Sequence, residues 1–407
     1  MREVRETFGV LFFPPGNSGA TWYRIVQPGQ KLSEKKLADV CFARRGQDPP
    51  KAIIEAIKGS DVLVFLSPAD EDMPENFFEL RKAGKKIVVD MYDDIFSVSP
   101  LSPHYGDLGI FEAEMDDVIG DSGRVYLWQD GVTPYDGPHG EKRIFSIERN
   151  LKNMETTKEI LRSVDLITVT TPYLANLYGE FAPTAVLPDS VDLQVWKPLR
   201  VQYPEPYLRL GWRGGWSHYD DLTVVLPALK RIFGKYDWTK LVMSGWRPKG
   251  FTNHFPQPRV EVHPFMGHPA YPWHMMALGI NVAFYPWKSI PFNQGKNNLC
   301  WIEWSALGVP GVYPGLPPYP DYVTNGETGL LAITEDGWFD CLQRLILNKK
   351  LRHSMGRAAR AEVEAKWDIN KNVHRWLEAY LELFKEESWH TESPDQTGLE
   401  SSSPVLH

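Results

Sequence analysis

The feature that most constrains this chain is a rhythm. Short apolar runs alternate with segments of helical apolar spacing, stop at a proline-punctuated joint, and then start again. The first half opens with Gly9-Val10-Leu11-Phe12-Phe13, closed by Pro14-Pro15-Gly16. A continuous apolar run ended by turn residues reads as a buried strand. Residues 50–58 carry Ile53, Ile54 and Ile57 at helical spacing, and 61–66 form the next buried strand. Residues 77–83 suit a helix, 86–90 a third strand, 147–161 a helix and 165–170 a strand. Thr171-Pro172 opens a short helix, since proline suits a first turn, and Val186-Leu187-Pro188 gives a further edge. Such alternation implies a parallel sheet with right-handed crossovers. Residues 97–140, rich in Pro, Gly and Asp, break the rhythm and read as an inserted loop or lid.

Pro198, Pro204 and Pro206 mark a stretch of the kind that joins domains. Beyond it the alternation resumes, with strands at 208–212, 240–244, 260–262, 279–284, 311–313 and 329–333. Helices are expected at 222–233, 298–307, 338–347 and 351–384. The polar, Ser-rich end predicts a disordered tail over 389–407. The class is α/β, with a first domain at 1–200 (insertion about 97–140) and a second at 206–365. Two domains also suit 407 residues, too many for one ordinary core.

Composition narrows the function. Apolar content of 43% and charged content of 24% are those of a globular protein. No run is long enough for a transmembrane helix, and the first apolar run is too short for a signal-peptide core. Cys41, Cys300 and Cys341 lie far apart in no metal-ligand spacing, so a reduced, cytoplasmic setting is expected. The net charge of −8 weighs against a broad nucleic-acid surface and leaves room for a local basic groove. Fifteen tryptophans and seventeen tyrosines exceed what a core needs, so some are expected to line a ligand cleft.

One segment is specific. Phe292-Asn293-Gln294-Gly295-Lys296-Asn297-Asn298, followed by Glu303 and by Leu307-Gly308-Val309-Pro310, resembles the donor-binding segment of retaining GT-B glycosyltransferases. It is most similar to glycosyltransferase family 4 and its phage and bacterial relatives. Asn325-Gly326-Glu327-Thr328-Gly329-Leu330-Leu331 extends the likeness, as does the stretch from Gly211 to Leu222. Residues 21–28 and 174–192 are similar to the same relatives in their first domain. The resemblance implies a GT-B fold, two Rossmann-like domains facing a central cleft, with the acceptor on the first and the donor on the second. It further implies a final helix at 366–388, around Trp376 and Tyr380, packing back on the first domain.

The activity implied is transfer of a sugar from a UDP- or GDP-sugar, with retention and without a divalent metal or other cofactor. The acceptor, whether glycan, protein or nucleic acid, is not specified. The family usually carries two glutamates separated by seven residues. Here the second is Glu303, and the first position is Gly295. The ribose-binding acid is therefore present and the sugar-facing acid absent. A non-catalytic sugar-nucleotide-binding or assembly protein on the same fold stays open, as does a DNA-base glycosyltransferase.

Releasing a nucleoside diphosphate requires stabilising the charge that builds on it, which cationic side chains and a helix N-terminus can do. Lys296 and Arg213 are the expected catalytic cations. Gly16, Gly214, Gly215, His218, Asn293, Gly295, Asn297, Asn298 and Glu303 are expected around the donor. Each has a plain alternative: a surface lysine for Lys296, a buried salt bridge for Glu303, and helix capping or pairing with Asp220 or Asp221 for Arg213. His218 could equally be a core histidine. Tyr23, Arg24, Asp93, Asp94 and His104 are expected on the acceptor side, with His139 in the same inserted region. The Asp90-Met91-Tyr92-Asp93-Asp94 turn reads as loop structure or acceptor contact, with divalent metal binding as the lesser alternative.

Overall fold

The computed structural model describes residues 8–44, 46–68, 73–102, 104–116, 124–137, 140–198, 206–215, 218–246 and 250–385. The strands begin with β1 (Gly9–Phe13), β2 (Asp39–Phe42), β3 (Val62–Leu66) and β4 (Lys86–Met91). Two antiparallel hairpins follow, β5 (Ala113–Asp116) with β6 (Arg124–Trp128) and β7 (Pro134–Asp136) with β8 (Lys142–Ile144). β9 (Leu166–Val169) and β10 (Thr184–Val186) complete the first half. The first sheet is parallel, in the order β10-β9-β4-β3-β1-β2. β1 and β3 are buried at every residue, which is why they read as unbroken apolar runs.

The second half contributes β11 (Leu208–Gly214), β12 (Thr239–Gly245), β13 (Val260–His263), β14 (Val282–Phe284), β15 (Gly311–Pro314) and β16 (Leu330–Ala332). They form a second parallel sheet in the order β13-β12-β11-β14-β15-β16. Each sheet has one point where the strand order reverses direction. It falls between β1 and β3 in the first and between β11 and β14 in the second. Open parallel sheets bind ligands in the crevice outside the carboxyl ends of their strands at such a point.

Three local features depart from or refine the sequence expectations. The edge strand β2 is unexpected: it spans only four residues, and although Val40, Cys41 and Phe42 are apolar, three of its four positions are exposed. Residues 97–140 are no loose loop: Tyr105, Trp128 and Phe145 gather into a small core between the hairpins. Asn150, from the helix Ile147–Arg162, ties that core down by donating to the carbonyls of Gly106 and Gly109 at 2.9 and 2.8 Å. The helical run over 351–384 is three helices, Lys349–Lys366, Ile369–Asn372 and His374–Glu382. It breaks where Val191 pairs with the chain, accepting from Ile369 N–H and donating to Trp367 O. Asp368 then accepts from Asn370 N–H and caps the next turn. Trp376 and Tyr380 of the last helix are buried with Val10, Phe12 and Ile25 of the first domain. Residues 389–407, expected as a tail, lie outside the described residues, as does His139.

Candidate active site

The two domains meet through residues that follow strand ends. β11 carries Arg213 to the rim of the second sheet beside the β11/β14 reversal. Across the crevice, the helix Leu299–Ala306 starts after Asn298 and presents Glu303 on its second turn. Arg213 Nη2 lies 2.6 Å from Glu303 Oε2. The Arg213 guanidinium also sits over the ring of Tyr285, 5.6 Å from its centroid. Its Nε is buried and has no hydrogen-bond partner among the described residues. Burial opposes the Arg213 charge, but the neighbouring Glu303 carboxylate holds the pKa well above its usual value.

Glu303 is itself 1% exposed and fully engaged. Tyr271 donates to Oε2 at 3.1 Å, and Tyr23 reaches over from the first domain to donate to Oε1 at 2.8 Å. Burial lifts the Glu303 carboxyl above the ordinary carboxylate range despite the adjacent Arg213. Tyr23 lies in a π-helical turn, Trp22–Val26, entered from Ser18, whose hydroxyl caps Thr21 N–H. Such turns recur at functional sites. The same turn stacks Trp22 on His268 of the second domain, with ring centroids 4.6 Å apart. Tyr23 was expected among acceptor contacts; its hydroxyl is engaged with Glu303.

Arg24, also expected on the acceptor side, is an internal anchor. It is 1% exposed and makes a forked contact with Asp90, Nε–Oδ1 at 3.0 Å and Nη2–Oδ2 at 2.8 Å. Its Nη1 donates to Asp189 Oδ1 at 2.9 Å and to Leu187 O. A planar guanidinium paired with two buried carboxylates and 1% exposed is out of a ligand's reach. Asp90 takes a further bond from Thr168 Oγ1 at 2.6 Å. Asp94 is buried too, accepting from Phe96 N–H and from Ser97 Oγ and so closing its own turn. The acidic run is thereby dispersed into separate structural duties, with Asp93 pairing with Lys296 and Asp94 packing against Gly295 of the same loop.

That loop is sewn to the first domain. Lys296 Nζ lies 3.0 Å from Asp93 Oδ1 and 4.3 Å from the centroid of Phe292. Asn297 Nδ2 donates to Asp189 Oδ2 at 2.7 Å, while its own Oδ1 accepts from Leu299 N–H. A β-carbon at Gly295 would lie 3.0 Å from Leu174 Cδ2 and 3.2 Å from Asp94 Cβ. A side chain at Gly295 would therefore require Leu174 and Asp94 to give way by a few tenths of an ångström.

His218 is committed rather than available. Its Nδ1 meets Asp221 Oδ2 at 2.8 Å and its Nε2 meets the Tyr285 hydroxyl at 2.9 Å. Burial outweighs Asp221 and lowers its pKa, so the ring is neutral, with Nδ1–H donating and Nε2 accepting. Asp221 Oδ1 also accepts from Lys288 N–H and Asn293 Nδ2, both at 2.8 Å. His218, Asp221 and Asn293 thus brace the loop that carries Lys296. Asp221 went unnamed as a site residue in the sequence because aspartate near a helix start reads as an ordinary cap.

The remaining expected residues separate. Asn298 precedes the helix with its Nδ2 buried and without a partner among the described residues. A β-carbon on Gly214 would fall 2.3 Å from the Trp212 ring, whereas Gly215 and Gly16 face open space. Gly16, expected near the donor, lines a cavity at the ends of β1 and β3. His104 is exposed at the start of the short helix Tyr105–Leu108, within the inserted region.

No protein-family profile matches the sequence, and no curated protein does. Solved structures do match. Sucrose-phosphate synthase from Thermosynechococcus elongatus superposes at a TM-score of 0.61 with 14% identity, over 93% of this chain and 100% of its own. HepE from Anabaena, in complex with UDP, gives 0.58 at 12% identity, over 92% and 100%. The fold is GT-B. A glycosyltransferase from Rickettsia africae gives 0.56 at 12% identity, over 94% and 100%, so the GT-B likeness spans both domains. Identity this low carries the GT-B fold and no residue roles. Among the described residues, no helix is long and apolar enough to cross a membrane.

Proposed function

We propose that this chain is a glycosyltransferase that transfers a sugar from a nucleoside-diphosphate sugar. The observation that carries the reading is Arg213, a half-buried cation with a buried, unpartnered Nε at the β11/β14 reversal, within 2.6 Å of Glu303. Fixed cations in a water-poor crevice stabilise a departing diphosphate more strongly than solvated ones. Lys296 supplies a second charge, held over the cleft by Asp93. The partial positive charge at the start of Leu299–Ala306 adds about 0.3–1 kcal/mol toward an anion. Glu303 would then receive the ribose hydroxyls, exchanging the Tyr23 hydroxyl for them. HepE has been solved with UDP and with UDP-glucose in the same fold, which supports UDP over GDP as the nucleotide.

The resemblance to family 4 supports retention without metal, in a cytoplasmic protein. The acceptor oxygen approaches on the face that the diphosphate leaves. The bond from the anomeric carbon to the phosphate oxygen breaks as the bond to the acceptor oxygen forms. The acceptor proton passes to the departing phosphate.

The test is calorimetric titration with UDP, GDP and UDP-glucose, with and without Mg²⁺, on wild type and on Arg213→Ala. Metal-independent binding of one nucleotide, lost in the variant, supports the reading; no binding of any nucleotide removes it. A second reading, a sugar-nucleotide-binding protein without turnover, is favoured by Gly295 and by the complete engagement of Glu303. Binding of UDP-glucose with neither hydrolysis nor transfer would select it.

A further inference from the structure

The first sheet has its own reversal point, between β1 and β3, and a cavity of about 560 Å³ opens there. The donor reading makes no use of it. Its floor is apolar: Phe13, Ala43, Phe65, Leu66 and Met73 line it, and all are buried. Phe13 and Phe65 are register partners on β1 and β3, and their rings stack with centroids 4.4 Å apart and planes 4° apart. The mouth is polar and exposed, formed by Asn17, Arg44 and Gln47. At the end of β3, Ser67 holds a positive φ of 42°, strained for a residue other than glycine.

We propose that this cavity binds the apolar aglycone of the sugar acceptor, an aromatic or short aliphatic group attached to the hydroxyl-bearing part. The acceptor assignment rests on the transferase reading; the binding of an apolar group does not. Three observations converge. The cavity lies at the one place on this sheet where parallel-sheet topology puts ligands. Its volume falls within the roughly 300–1,000 Å³ of small-molecule sites. The inward gradient from polar mouth to apolar floor orients a ligand with its apolar end down and its hydroxyls at the rim. On the same sheet, β4, which leads to Asp93 and its contact with Lys296, neighbours β3. A bare monosaccharide would leave the Phe13, Phe65 and Met73 surface wet.

The experiment compares 4-nitrophenyl β-glucoside with methyl β-glucoside by calorimetry, each without nucleotide, on wild type, Met73→Lys and Gln47→Trp. The first variant puts a charge in the floor; the second blocks the exposed mouth with little risk to folding. UDP titration on all three proteins serves as the control for an intact second domain. The expected result is at least 10-fold tighter binding of the nitrophenyl glycoside to wild type, abolished in both variants. Equal affinities, or a preference that survives both substitutions, would overturn the proposal. A preference seen in a protein that binds no UDP would support the cavity while removing the transferase reading.

Discussion

The Tyr23 hydroxyl donates to Glu303 Oε1 at 2.8 Å, joining residues 280 positions apart and on opposite domains. Removing one donor from a buried carboxylate costs about 1–3 kcal/mol. Tyr23→Phe is therefore expected to lower stability by about that amount in denaturant unfolding. If ribose hydroxyls take the vacated place, the loss shrinks at saturating UDP. An equal loss with and without UDP would put the ribose elsewhere.

Lys296 is held at 3.0 Å by Asp93. If it stabilises the leaving diphosphate, Lys296→Ala lowers the transfer rate by about 10²–10³. Steady-state kinetics with UDP-glucose checks this, and a rate close to wild type would take Lys296 out of the chemistry.

Arg24 serves the first domain, wedged between Asp90 and Asp189. Breaking a buried ion pair on one side costs about 3–5 kcal/mol. Arg24→Ala should lose that much in chemical unfolding. Arg24→Lys should recover only part of it, because an ammonium cannot make the forked contact with Asp90.

Acid should loosen the interdomain contact. Burial, with Arg213 nearby, pulls His268 down to about 3, against an unfolded value of about 6.5. Between those values the unfolded chain binds the extra proton. The contribution is full above about pH 6.5 and is lost as pH falls toward 3. His268→Phe, which keeps a ring against Trp22 and cannot take a proton, should flatten the melting-temperature profile over that window. An unchanged profile would assign the acid sensitivity to other groups.

The two sheets were legible because their central strands are apolar throughout and separated by helical spacing, which few other folds produce. β2 was not, since a four-residue edge strand is fixed by its hydrogen bonds to β1, and Val40, Cys41 and Phe42 make too short an apolar run to single out. The donor loop was legible as a motif, but its partners were not. Asp93, Asp94, Leu174 and Asp189 lie far from it in sequence, and such contacts leave no local periodicity. Arg24 was misread for the same reason: its burial depends on Asp90 and Asp189, which only the folded sheet brings together.

The chain leaves the first domain once and comes home at its end. Trp376 and Tyr380 lie under the same sheet as Val10 and Phe12, and the Arg24 guanidinium sits 5.7 Å from the Trp376 ring centroid. No single cut can therefore yield two whole domains. A fragment stopping at residue 198 would be missing part of its own floor, and adding the rest of the chain as a separate piece would restore it. A nick in the link between the domains would leave the two pieces clasped.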